Sequence, residues 1–207
     1  MIELLIASTN RRKFAEIESS LRHLPLKVIP LQTLQSFPMV VEDGATYEAN
    51  ALKKATTLAE YSGYLTLADD SGLEVDALNG APGVYSARYG GEEGNDQRNN
   101  EKLLNAMKEV PEDRRTARFV CVLALCAPQS RKAKSKLIVR ESCEGRIAFS
   151  LKGQNGFGYD PLFFYVPFGK TFGEIDRETK ATVSHRGKAL KKLAQSLPSI
   201  VDLGTKP

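Results

Sequence analysis

Polar and basic residues follow the first apolar segment of the chain, and their types suit an anion. They are Ser8, Thr9, Asn10, Arg11, Arg12 and Lys13. The apolar run at 2–7 predicts a strand, and the helical spacing of Phe14, Ile17 and Leu21 predicts a helix capped by Thr9 or Asn10. Backbone N–H groups at a helix N-terminus bind anions, and a lysine there opposes the helix dipole unless a phosphate is present. The alternative is a capped helix with a surface lysine. The segment is not a Walker A loop, because that pattern does not occur in the sequence.

Carboxylates at two places in the sequence are candidate ligands for a metal ion. Glu42 precedes a predicted helix on which Asn50 and Lys54 share a face. Glu42 could ligate Mg²⁺ and Lys54 could contact a phosphate, but an acidic loop before a solvated helix face explains the same pattern.

The second carboxylate site is the segment Asp69-Asp70-Ser71-Gly72, which ends an apolar strand-like run. Ligands of open α/β sheets bind at the carboxyl ends of strands, and Mg²⁺ takes one or two carboxylates beside substrate phosphates. The same residue types also favour turns, so a short strand running into a turn is the competing interpretation.

A glycine-rich loop and a later helix start form the last candidate cluster. The loop contains Phe157, Gly158, Tyr159 and Asp160. Its aromatic rings could stack on a base and its carboxylate could accept from base N–H groups. Further along, Lys180 precedes Ser184, His185 and Arg186. The last two could donate to a keto oxygen, although a capped helix with a surface histidine is the simpler alternative.

The elements that must position these clusters alternate between strand and helix early and are mostly strands later. The ranges predicted as strands are 2–7, 26–31, 65–68, 116–127 and 136–148, and those predicted as helices are 10–21, 46–62, 100–110 and the segment after Ser184. The segment 78–96 is predicted to be mostly loop. This order predicts an α/β protein with a mixed sheet, and a second lobe is expected from about 70–140.

Composition sets broad limits on the class of protein. The 207 residues are 42% hydrophobic and 26% charged, which suits one domain, or one domain with an inserted lobe. No apolar run approaches the roughly 20 residues of a membrane span, and the N-terminus lacks a basic signal region, so a cytoplasmic location is expected. The odd count of 3 cysteines favours buried free thiols.

A basic nucleotide- or RNA-binding module without catalysis is one alternative. Its support is the net charge of +4 and the run RKAKSK at 131–136, which also reads as a solvated hairpin tip. No RNA-binding motif is present, and the acidic residues would repel phosphate unless a metal intervened.

Taken in order, the motifs are distinctive as a set. They are STNRRK, VEDGATYEANALKKA, ADDSGLEVDALNGAPGVYSARYGG, GQNGFGYDPLF, KTFGEI and SHRGKAL. The sequence resembles the inosine/xanthosine triphosphate pyrophosphatase family over about residues 4–195. The resemblance implies an elongated α/β fold with a long mixed sheet flanked by helices, two lobes, a central substrate cleft and a homodimer. It also implies Mg²⁺-dependent hydrolysis of ITP, dITP and XTP to the monophosphate and pyrophosphate, with no nucleic-acid or membrane partner.

The resemblance further implies a role for each candidate residue. The triphosphate would bind residues 8–13, chiefly Asn10 and Lys13, and Ser71 would bind substrate. Glu42 and Asp70 would hold Mg²⁺, with Asp70 as general base; Asp69 or a metal-bound hydroxide remain alternatives for that base.

The remaining implied roles concern the phosphates and the base. Lys54 and Lys180 would neutralise phosphates, residues 157–160 would line the base pocket, and His185 and Arg186 would read the 6-keto edge. A pyrophosphatase acting on other nucleoside triphosphates, as in the related septum-associated group, and a non-specific phosphatase stay open.

Overall fold

The computed structural model describes residues 2–92, 94–129 and 136–200, without the side chains of residues 199 and 200. The strands in these ranges are β1 (Ile2–Ile6), β2 (Leu26–Pro30), β3 (Leu65–Val75), β4 (Thr116–Cys126), β5 (Lys136–Ile147), β6 (Phe163–Tyr165) and β7 (Lys170–Thr171). The helices are α1 (Arg11–Leu21), α2 (Tyr47–Ser62), α3 (Asp96–Ala106), α4 (Arg177–Val183) and α5 (His185–Ile200).

The strands form one sheet in the order β2-β1-β3-β4-β5-β6-β7. Strand β1 pairs in parallel with both β2 and β3, because a helix connects each successive pair along the chain. Strand β6 pairs antiparallel with β5 and with β7. The sheet is therefore mixed, which confirms the predicted α/β fold class.

The described residues group into two compact units. The first contains the chain up to Asp70, the segment Cys121–Arg140 and the residues from Lys188 onward. The second contains Ser71–Val120 and Glu141–Gly187. The lobe boundaries expected from the sequence, about 70–140, stay a prediction.

The first unit has an aliphatic core. Helix α1 contributes Ile17 and Leu21, and α5 contributes the stripe of Leu190, Leu193 and Leu197. These side chains pack with apolar residues of β1, β3 and β4. Amphipathic spacing in both helices thus places them against the sheet.

The core of the second unit is aromatic. The Phe119 ring centroid lies 4.5 Å from that of Phe163, and Phe163 lies 4.9 Å from Phe172. Tyr159 and Leu162 are buried in the same cluster. Since Tyr159 belongs to the predicted base-binding loop, this core holds one side of that loop.

The predicted turn at residues 69–72 is wrong. Strand β3 continues without interruption from Leu65 to Val75, and Asp69 and Asp70 are buried within it. The turn-forming residue types are overridden because β3 lies inside the sheet between β1 and β4. Adjacent side chains on a strand point to opposite faces, so the two carboxylates meet different surroundings.

Two smaller differences separate prediction and structure. Helix α4 was not predicted, because its 7 residues carry no apolar stripe. Its N-cap is Asp176. The predicted loop at 78–96 contains a 3₁₀ segment, Gly83–Arg88. The predicted hairpin tip at 131–136 lies outside the described residues except for Lys136, which begins β5.

A buried arginine ties together the end of α3 and the end of β5. The Arg115 side chain is fully buried, and its guanidinium donates to the carbonyls of Met107, Val110, Ile147 and Ala148 at 2.7 to 3.2 Å. Burial lowers the pKa of Arg115. The planar guanidinium donates to all four carbonyls at once. A lysine ammonium, with three donors on one nitrogen, could not reach all of them.

We therefore expect Arg115→Met to lower the free energy of unfolding by about 3 kcal/mol or more, because two buried and two partly buried carbonyls lose this donor. Urea denaturation would measure the change. The exposed neighbour Arg114 supplies the control, since Arg114→Met should alter stability by less than about 0.5 kcal/mol. Equal stability of the two variants would contradict this account.

Candidate active site

The segment at residues 8–13 forms the start of α1, as predicted. Asn10 is the N-cap, and its side-chain oxygen accepts from the N–H groups of Arg12 at 2.9 Å and Lys13 at 3.1 Å. Ser8 Oγ accepts from the Asn10 N–H at 3.2 Å. Thr9 and the side chains up to Arg12 are exposed. The turn thus presents hydroxyl and guanidinium groups to solvent at the positive end of a helix, where an anion is stabilised.

Lys13 is anchored by a buried carboxylate. Its Nζ lies 2.6 Å from Asp69 Oδ1, and the Asp69 side chain is fully buried. The Cys121 thiol donates to Asp69 Oδ2 at 3.2 Å. These contacts fix the lysine at the start of α1 and engage both carboxylate oxygens, so Asp69 is a weaker candidate base than its neighbour.

The carboxyl group of Asp70 has a different environment from that of Asp69. It is buried, and its Oδ2 has no hydrogen-bond partner among the described residues. Burial raises the pKa of Asp70 to about 6; Lys13 and Lys54 oppose this rise, whereas the charge of Glu42 adds to it. Asn50 also lowers that pKa by hydrogen bonding to the carboxylate. An acidic group with a raised pKa and an unpaired oxygen is a characteristic of functional sites.

The segment that carries Glu42 is held against the start of α2. Asn50 Oδ1 accepts from the Gly44 N–H at 2.7 Å, and a Cβ added to Gly44 would lie 2.6 Å from that oxygen. Lys54 forms an ion pair with Glu42. Asn50 therefore contacts both acidic segments of this unit: the one after Glu42 and, through its bond to the carboxylate, Asp70.

These residues fit a divalent cation of the Mg²⁺ type. The unpaired Oδ2 of Asp70 is the kind of hard oxygen that Mg²⁺ prefers, and the charge of Glu42 acts on the same carboxylate. Among the described residues no group of three or more His, Cys, Asp or Glu side chains could hold a metal ion. A site of two carboxylates suits Mg²⁺, which completes its shell with water and substrate phosphates.

In the second unit, the loop at residues 157–160 is closed by its own aspartate. Asp160 Oδ2 accepts from the Phe157 N–H at 2.8 Å and from Lys180 Nζ at 2.6 Å. The Lys180 ammonium also lies 5.0 Å from the Phe157 ring centroid. Lys180 was expected to neutralise phosphates; here it is buried in an ion pair with Asp160. Helix α4, whose 7 residues carry no apolar stripe, places it there.

Tyr159 is an anchor of the same loop. Its ring is buried, and its hydroxyl donates to the Ser86 carbonyl at 2.8 Å. Burial strongly raises the pKa of Tyr159, so it stays a neutral donor. Of the two aromatic residues expected at the base, only Phe157 is partly exposed. No sequence signal indicated which ring would face inward.

His185 and Arg186 are buried at the start of α5, so the interpretation of His185 as a surface histidine is wrong. The His185 ring stacks on Phe119 with centroids 4.7 Å apart. Arg186 Nη2 donates to Ser71 Oγ at 2.8 Å, and its guanidinium carbon lies 5.7 Å from the Phe157 ring centroid. Ser184 caps the helix, as predicted, by accepting from the Gly187 N–H at 3.1 Å. The second unit thus holds a guanidinium beside a partly exposed ring.

The protein has a mixed-sheet α/β fold, a capped cationic helix start, a buried carboxylate with an unpaired oxygen and an arginine–aromatic cluster. These features are typical of an enzyme that acts on nucleotides. Sequence comparison is more specific: the profile of the Ham1 family matches residues 4–196. The chain belongs to the Ham1 family.

Relatives and solved structures agree with this membership. The chain is 49% identical to a dITP/XTP pyrophosphatase of Desulforamulus reducens, covering 95% of this chain and 96% of that protein. It is 50% identical to a dITP/XTP pyrophosphatase of Syntrophobacter fumaroxidans, covering 96% and 83%. A Ham1 protein from Coxiella burnetii superposes with a TM-score of 0.86 at 42% identity, covering 96% of this chain and 100% of that one. The Ham1 protein of Staphylococcus aureus gives 0.84 at 38% identity, covering 95% and 98%.

The state of Asp70 predicts how its replacement changes stability. Because the folded pKa of about 6 exceeds the ordinary value of 3.8 for an aspartate, the stability that this group contributes is fully present below the lower value and is lost as the pH rises through the upper one. We expect Asp70→Asn to raise the free energy of unfolding at pH 8 by about 2–3 kcal/mol, and to leave it nearly unchanged near pH 3.5. Urea denaturation in the presence of a chelator would measure both.

Asp43→Asn is the control for that measurement. Asp43 is exposed, and its hydrogen bond with Lys53 lowers the pKa of its carboxyl, so this change should not stabilise the protein at any pH. If Asp70→Asn destabilised the protein at pH 8, the carboxylate would not carry the burial penalty described here.

Proposed function

We propose that this protein hydrolyses non-standard purine nucleoside triphosphates, ITP, dITP and XTP, to the nucleoside monophosphate and pyrophosphate. The observation that carries the proposal is the buried Asp70 with its unpaired Oδ2, beside the cations Lys13 and Lys54. Membership in the Ham1 family and relatives named dITP/XTP pyrophosphatases support the same reaction. Removing these nucleotides would keep deaminated purines out of nucleic-acid precursors.

The cations of the first unit suit the triphosphate. Residues 8–13 would bind it at the start of α1, where Asn10 organises the turn and Lys13 is directed by Asp69. Lys54 would add a second positive charge. Phosphoryl transfer depends on positioning and on neutralisation of charge more than on covalent catalysis, so no nucleophilic side chain is required.

Glu42 and Asp70 would hold Mg²⁺, which when bound would neutralise phosphate charge and favour ionisation of an attacking water. Asp70 would act as the general base, accepting the proton of the water that attacks the α-phosphorus. In the metal-free protein burial raises the pKa of this carboxyl to about 6, and a carboxylate positioned beside the water can accept its proton. The bond to the bridging oxygen breaks and pyrophosphate leaves.

The cluster of the second unit would recognise the base. Phe157 offers a ring for stacking, and Arg186 and His185 would donate to the 6-keto oxygen that adenine lacks. Arg186 is already oriented by Ser71, which would itself contact substrate. Lys180 would act here by holding Asp160 and the Phe157 ring. This assignment differs from the phosphate contact expected for Lys180 from resemblance.

The direct test is a substrate panel. Purified protein would be incubated with ITP, XTP, GTP and ATP at equal concentrations, with and without Mg²⁺, and monophosphate and pyrophosphate would be quantified. We expect Mg²⁺-dependent release of pyrophosphate from ITP and XTP and little from ATP or GTP. Release of single phosphates would indicate a non-specific phosphatase, and no release with salt-sensitive RNA binding would favour a binding module.

Asp70→Asn should lower kcat for ITP by on the order of 10²-fold or more, the usual size of a general-base loss. The same substitution is expected to stabilise the metal-free protein, so unfolding would not explain a lower rate. Asp43→Asn serves again as control and should keep the wild-type kcat. Near wild-type turnover in Asp70→Asn would sink the assignment of the base.

Arg186→Ala should erode the preference for keto purines, because the donor facing the base is lost. The measurement is the ratio of kcat/KM for ITP to that for ATP. The exposed Arg177 on α4 offers a control of equal chemistry, and Arg177→Ala should leave the ratio unchanged. If Arg186→Ala also left it unchanged, the base would be read elsewhere.

A homodimer and a cytoplasmic location are further proposals, supported by the family resemblance. None of the helices in the described part of the chain is long and apolar enough to cross a membrane. Sedimentation equilibrium would test the dimer, with a mass of twice 22.8 kDa expected.

A further inference from the structure

Two side chains of α3 hold both polar groups of the Gly158 backbone. Asp96 Oδ2 accepts from the Gly158 N–H at 2.9 Å, and Asn100 Nδ2 donates to the Gly158 carbonyl at 2.9 Å. Asp96 and Asn100 are four residues apart on α3 and therefore share a helix face. A rigid helix thus holds a single residue of the loop from both sides of its Cα.

The orientation of the Asn100 amide is determined by these contacts. Its Nδ2 also donates to the Asp96 carbonyl at 2.8 Å, so both amide hydrogens point at carbonyl oxygens. Rotating the amide by 180° would place its oxygen next to the two carbonyl oxygens and cause repulsion. As a result Asn100 Oδ1 is buried with no hydrogen-bond partner among the described residues. An unsatisfied buried acceptor is costly, so retaining it indicates that the position of Gly158 matters.

Gly158 lies between the two aromatic residues of the loop. Its φ of +61° is left-handed, which favours glycine. On one side, Tyr159 is fixed by its bond to Ser86. On the other, Phe157 is partly exposed; Asp160 accepts from its backbone N–H, and the Lys180 ammonium lies 5.0 Å from its ring centroid. Because Gly158 follows Phe157 directly, the position of its peptide planes contributes to the direction of the Phe157 ring.

We propose that Asp96 and Asn100 are positioning residues for base recognition, which act through Gly158 to preset the Phe157 ring for stacking on the purine. The inference rests on the proposed function. Neither side chain is assigned a contact with substrate. Their effect is on binding of the base and not on attack at phosphorus, because preorganising a loop improves affinity by removing the cost of ordering it.

The test compares Asn100→Ala and Asp96→Ala with two matched variants. Asp96→Asn keeps an oxygen that accepts from Gly158 and should rescue the loss. Asn99→Ala removes a buried asparagine of the same helix, whose side chain accepts from the Gly90 N–H at 2.6 Å and donates to the Ala87 carbonyl at 3.2 Å. It matches the lost bonds of Asn100 without touching Gly158.

Binding of inosine monophosphate, measured by calorimetry, should weaken about tenfold in Asn100→Ala and Asp96→Ala. The KM for ITP should rise by a similar factor while kcat changes less than about threefold. Hydrogen exchange of the Gly158 amide, followed by NMR, should speed up in both. Asp96→Asn and Asn99→Ala should retain wild-type affinity and exchange at that amide.

Two results would overturn the inference. One is faster exchange at Gly158 with unchanged affinity for inosine monophosphate, which would make the two bonds purely structural. The other is an equal loss of affinity in Asn99→Ala, which would trace the effect to α3 as a whole. These two results are differences between the variants and a wild-type protein that binds inosine monophosphate and cleaves ITP. Failure of the proposed function would instead be seen in the wild-type protein itself, as absence of cleavage.

Discussion

The organisation of the first unit depends on two adjacent carboxylates buried within one strand of the sheet. Strand geometry sends Asp69 and Asp70 to opposite faces, and the protein treats them differently. Asp69 is neutralised by Lys13 and receives the Cys121 thiol, whereas Asp70 retains an oxygen without a partner. The first carboxylate thereby fixes a cation at the start of α1. The second keeps a buried negative charge that a bound cation would relieve.

In the second unit a buried carboxylate is neutralised by a buried lysine of the same unit. Asp160 and Lys180 neutralise each other inside an aromatic cluster, so a loop that must hold a fixed shape needs no external ion. Such a pair stabilises little by itself, since desolvation offsets the attraction. Its value here is geometric, because one carboxylate oxygen also receives the Phe157 N–H. The two units thus use buried carboxylates for opposite purposes.

Local signals in the sequence were sufficient for the caps, the apolar stripes and the mixed sheet. Asn10 and Ser184 are caps because their side chains satisfy N–H groups three residues or fewer ahead, which is a local requirement. The continuity of β3 through Asp69 and Asp70 was not predictable in this way, because it depends on the place of β3 in the sheet, beside strands that lie far away in the sequence, and not on local residue types. The Lys180–Asp160 pair was missed for a related reason: it joins residues 20 apart through a helix without an apolar stripe.

Buried oxygens without a hydrogen-bond partner distinguish two of these side chains from one that only maintains the fold. Arg115 satisfies four carbonyls and leaves nothing unpaired, as expected of a structural contact. Asp70 and Asn100 each leave one buried oxygen without a partner among the described residues. Selection for stability alone would remove both, since an apolar residue or a paired one would cost less. They remain understandable if the unpaired oxygen of Asp70 is completed by a bound cation and that of Asn100 is tolerated because its amide hydrogens fix the loop.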